Sequence, residues 1–131
     1  MEKVKKISIK SVDTDLVEKD DSFPEALAFY VYLSEVPESV WREFFSSEYE
    51  QSWFNLKREV TVSGDRIRIV TSPGEEQQHI DFIKQVVERT NRQVDEYNGE
   101  LERQQQLDAK NRAKESKLVE DAKERLKRVR L

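Results

Sequence analysis

From Gly74 to Leu131 the chain contains no proline and only one further glycine, Gly99. Few features restrict a fold more, because proline breaks a helix and glycine weakens one. Read as a single helix, this stretch of about 57 residues would span about 85 Å at about 1.5 Å per residue. Ser72-Pro73-Gly74-Glu75 marks its start as a capping box with proline at the first helical position. Asn98-Gly99 is the main threat to a continuous rod, and the sequence leaves continuity through Gly99 open.

Apolar periodicity divides this helix into two parts. Ile83, Val87, Thr90, Val94, Tyr97 and Leu101 recur at alternating spacings of four and three, a heptad seam that Ile80 precedes and Phe82 and Val86 widen. The widened part is expected to pack on the protein's own sheet, and the helix to leave the head beyond Tyr97. Between Glu102 and Lys117 the only apolar residues are Leu107, Ala109 and Ala113. That polar stretch should be exposed or frayed. Pattern returns at Leu118, Val119, Ala122, Leu126 and Val129, supported by acid-first charge pairs Asp121–Arg125 and Glu124–Arg128.

A core must come from what precedes the helix, and ten of the twelve aromatic residues lie between Phe23 and Phe54. Ile7 to Val12 alternates apolar and polar residues, the pattern of a half-buried strand. The acidic stretch from Asp13 to Asp21 reads as a solvated loop. Ala26 to Leu33 is apolar on both faces, which suits a central strand covered by helices. After Pro37, the residues Val40, Trp41, Phe44, Phe45 and Tyr49 form one wide helical face. Glu59 to Val70 reads as a hairpin around Ser63-Gly64-Asp65. Val60, Val62, Ile67 and Ile69 are expected on its buried face, with Glu59 and Arg66 or Arg68 available to pair across the other.

These segments predict an α+β fold with a small, mostly antiparallel sheet in the order β-β-α-β-β-α and a long, partly coiled-coil-like C-terminal helix. Residues 1–100 should form the head, including the first part of that helix, and residues 101–131 a charged helical extension. The charge supports this division. Residues 1–101 carry 13 basic and 21 acidic side chains, whereas 102–131 carry 10 and 6, so the head is at −8 and the extension at +4.

Chemistry is harder to find. There is no cysteine, which excludes disulfides and thiolate catalysis and agrees with a cytoplasmic location. No apolar run is long enough for a membrane span, so no membrane partner is expected. His79 is the only histidine, and Glu76-x-x-His79 alone is a poor metal site, so His79 is expected to be a solvated first-turn residue. Asp13-x-Asp15 lacks the glycine and distal glutamate of a calcium loop. Gly64 and Gly74 are isolated, and no serine lies in a nucleophile elbow. Catalytic, cofactor and metal residues are therefore all assigned as none. Trp53-Phe54, beyond the strong part of the aromatic helix, is the pair expected to be exposed.

What remains is interaction. The sequence reading is a non-enzymatic module that pairs with itself as a homodimer, or docks another protein, through Ile83, Val87, Val94, Tyr97, Leu101, Leu118, Ala122 and Leu126. The alternative is a nucleic-acid-associated protein using the basic cluster Lys123, Arg125, Lys127, Arg128 and Arg130, which Glu120, Asp121 and Glu124 interrupt and no aromatic residue accompanies.

Overall fold

The structure, a computed structural model, describes residues 2–131. Six elements follow in the expected order: β1 (Ile9–Lys19), β2 (Leu27–Leu33), α1 (Ser39–Gln51), β3 (Val60–Ser63), β4 (Arg66–Thr71) and α2 (Glu76–Lys127). The strands form one antiparallel sheet in spatial order β1-β2-β4-β3. The hairpin turns at Gly64-Asp65, where a φ of 59° at Gly64 suits the first central position of a type II′ turn.

Strand alternation sets the core. Phe29, Val31 and Leu33 of β2 and Ile67 and Ile69 of β4 point to one face, where Trp41 and Phe45 of α1 and Phe82, Ile83, Val86, Val87 and Val94 of α2 cover them. Val60 and Val62 pack on the same cluster from the edge. Trp41 is fully buried and stacks on Phe45 at 5.3 Å between ring centroids. An alanine there would cost about 3–5 kcal/mol, the usual range for a lost core aromatic.

Both helices lie on this face, so β2 is not sandwiched between helices as its sequence suggested. Its second apolar face is explained by a smaller cluster of Ala26, Ala28 and Val70, against which Phe23 packs from the loop before β2. Farther along the same face, Tyr30 and Tyr32 use their hydroxyls. Tyr30 donates to Glu18, and Tyr32 donates to Asp13 at 2.7 Å. Arg68 reaches Asp20 at 2.9 Å and Glu18 at 3.3 Å. The expected pairing of Glu59 with an arginine is thus replaced, because Arg68 finds its carboxylates on β1, at Glu18, and just beyond its end, at Asp20.

The same bonds explain why most of the acidic stretch is strand rather than loop. Its register jumps from Val12, opposite Val31, to Val17, opposite Phe29. The extra residues form a bulge held by Asp13, whose Oδ1 accepts the backbone N–H of Asp15 at 2.9 Å and of Leu16 at 3.1 Å.

The capping box does not form. Ser72-Pro73-Gly74-Glu75 instead makes a turn in which the Glu75 N–H donates to the Ser72 carbonyl at 3.1 Å, with Gly74 at φ 89°. Proline at the second position and a positive-φ glycine at the third favour that turn over continuing as helix. The helix begins at Glu76 and runs unbroken through Gly99 to Lys127, 52 residues or about 78 Å.

Residues 2–8 reach the head along α2 without joining the sheet. Val4 and Ile7 are buried. Asn98 accepts the Val4 N–H and donates to the Val4 carbonyl, both at 2.8 Å. Asn91 does the same for Ile7 at 3.1 and 2.7 Å, and its Oδ1 also accepts the Trp41 indole N–H at 2.9 Å. Two helical turns rise about 10.5 Å and three extended residues about 10 Å, so asparagines seven apart match amides three apart.

Candidate interaction surface

The rod has two halves with different surroundings. Ile83, Val87, Val94 and Leu101 are 1, 5, 0 and 8% exposed, covered by the head. Tyr97 is half-buried, edge-on to Phe44 at 5.7 Å. This corrects the sequence assignment of those five residues to a partner surface: their seam is the inner face of the protein's own core. The last residue of α2 that the head buries is Leu101. From residue 102 onward every side chain is exposed except Ala122, which is partly so.

Leu118 and Leu126, 67 and 69% exposed, are therefore the members of the predicted set that face solvent, with Ala122 between them. Leu107, Val119 and Val129 are exposed with them, at 51, 53 and 59%. Val119 and Val129 belong to the surface although the sequence assignment omitted them; their spacing from Ala122 and Leu126 is the signal that marks them.

Charge pairing along the extension follows i,i+3 rather than the expected i,i+4 pattern. Glu120 meets Lys123 at 3.3 Å and Glu124 meets Lys127 at 3.1 Å. Such exposed pairs contribute little to stability. Arg125, Arg128 and Arg130 are exposed to solvent, so the basic cluster is divided between engaged lysines and projecting arginines.

Several titratable groups of the head are engaged in structure. Hydrogen bonds from Tyr32 to Asp13, from Tyr30 to Glu18 and from Ser22 to Asp20 hold those carboxyls below their ordinary pKa, and Arg68 adds to the last two. Burial pushes the Tyr49 hydroxyl up to about 12. His79 is 1% exposed rather than solvated, with its ring edge-on to Phe54 at 5.3 Å. Burial lowers its pKa, with Glu75 opposing that shift from 3.8 Å. Phe54 also stacks on Phe82 at 4.5 Å, so of the Trp53-Phe54 pair only Trp53, 85% exposed, projects into solvent. Among the described residues no group of three or more His, Asp and Glu side chains is placed to hold a metal ion. Among them, too, no helix is long and apolar enough to cross a membrane.

No protein-family model matches the chain, and no curated protein and no solved structure matches it.

Proposed function

We propose that the chain is a non-enzymatic assembly module in which a small head carries a helical rod whose outer part binds a second copy of the chain. One observation carries this reading: residues 102–127 continue the helix for about 39 Å beyond the last buried residue, with three leucines and Val119 exposed on it. An isolated helix gains little from propensity alone and is normally held by burial of an apolar face. The head leaves the leucines and Val119 of this segment exposed, which leaves their covering to a partner. The lack of cysteine agrees with a reducing, cytoplasmic setting for it.

Sedimentation equilibrium of the full chain beside a chain ending at Gln106, which keeps every described head contact, tests the proposal. A dimer that becomes a monomer on truncation supports it. Two monomers over the whole accessible concentration range would refute self-assembly. The exposed Arg125, Arg128 and Arg130 favour nucleic acid as the second reading, and it predicts binding at low ionic strength that weakens steeply with salt.

A further inference from the structure

The outer part of the rod repeats the inner part in phase. Leu118, Val119, Ala122 and Leu126 each stand about ten helical turns beyond Phe82, Ile83, Val86 and Thr90, at about 3.6 residues per turn. Those four inner residues are 6, 1, 0 and 0% exposed. Since α2 is continuous, the exposed stripe lies on the same side of the rod as the head and is offset along it. About 39 Å of helix is available there, and a unit of about 100 residues, with a radius of gyration of about 13 Å, is about 33 Å across. A second head fits on that length of helix.

Charge distribution around the rod selects a partner surface. At about 100° per residue, Lys123 and Arg125 flank the stripe on its two sides, with Asp121 just outside Arg125, while Glu120 and Glu124 project from the opposite face. A surface complementary to this stripe is apolar with acidic borders. Strand β1, at the edge of the sheet, offers one around its bulge, where Asp13 and Asp15 lie between the exposed Lys10 and Lys19 near the strand's ends. Val12, Leu16 and Val17 are 38, 39 and 55% exposed there. The bulge held by Asp13 turns Asp15 and Leu16 outward, and Asp21 is exposed just beyond the strand. Two tails laid on one another would instead bring together two segments of net +4.

Resting on the assembly reading above, we infer that the partner of the rod is the head of a second copy: the stripe Leu118, Val119, Ala122, Leu126 docks on the β1 bulge. A two-fold axis makes the exchange reciprocal, each tail seated on the other copy's head. The interface joins a +4 segment to a −8 body, so it weakens as salt is added.

A charge exchange tests this, using exposed positions only. Sedimentation equilibrium at low ionic strength would compare the full wild-type chain, a tail variant (Lys123→Glu with Arg125→Glu), a head variant (Asp15→Lys with Asp21→Lys) and the chain carrying all four changes. Each pair alone places like charges across the interface and should weaken dimerisation roughly tenfold or more, and the fourfold variant should recover most of that loss. If the tail variant weakens a wild-type dimer and the head variant leaves it unchanged, the tails pair with each other. That result overturns this inference while the assembly reading stands. A wild-type chain that stays monomeric overturns both.

Discussion

Asn91 satisfies three groups at once, the N–H and carbonyl of Ile7 and the indole N–H of Trp41, and so ties the N-terminal segment and α1 to the long helix. Asn91→Ala should destabilise the protein by about 2–4 kcal/mol, because leaving buried polar groups unpaired costs about 1–3 kcal/mol each. Asn98→Ala touches only Val4 and should cost less, about 1–2 kcal/mol. Urea unfolding of both variants checks the order. His79 makes a prediction of opposite character. Its folded pKa is lowered by burial, so below about pH 6.5 the unfolded chain binds a proton that the folded chain resists. The folded state should lose stability as pH falls from about 7.5 to about 5.5, and His79→Leu should lose less over that interval. Equal losses in the two proteins would contradict the assignment. Neither role was legible in the sequence. Asn-x6-Asn has no meaning until a strand is known to run beside the helix, and His79 reads as a first-turn surface residue until Phe54 closes over it.

At the level of elements, periodicity carried the fold. The alternation on both sides of Gly64-Asp65 and the one-sided aromatics of α1 led to the observed hairpin and helix because each pattern is local. The acidic strand was missed because its carboxylates are balanced by Tyr30, Tyr32 and Arg68, partners far away in sequence. The helix continues through Gly99, which the sequence left open, because it is held on both sides of it, at Val94 and Asn98 before and Leu101 after. A Cβ added at Gly99 would meet only the mobile end of Arg103 at 3.9 Å. Gly99→Ala should therefore stabilise the protein by about 0.5–1 kcal/mol, the usual helical preference for alanine, read as a higher urea midpoint. Two leucines of α2 separate its halves. Leu101→Ala should cost about 2–3 kcal/mol at the covered edge of the core. Leu126→Ala should leave the unfolding midpoint of the dilute protein within about 0.5 kcal/mol of wild type. A large loss at Leu126 in dilute solution would mean that the outer helix packs on its own head.

For the whole molecule, the sequence shows the charge asymmetry directly, −8 over residues 1–101 and +4 over 102–131, but does not say what covers the heptad seam. The heptad spacing from Ile83 to Leu101 looks the same whether a partner or the protein's own sheet covers it, and spacing alone holds no information on which. Placement of the sheet and α1 against that seam resolves the matter and moves the candidate surface outward to Leu118–Leu126. The central claim is that this outer surface assembles the protein. It is tested most directly by sedimentation equilibrium of the full chain against the chain ending at Gln106, both over a wide concentration range. The account predicts a reversible dimer for the full chain and a folded monomer for the shortened one. Two folded monomers, or two dimers of equal strength, would contradict it.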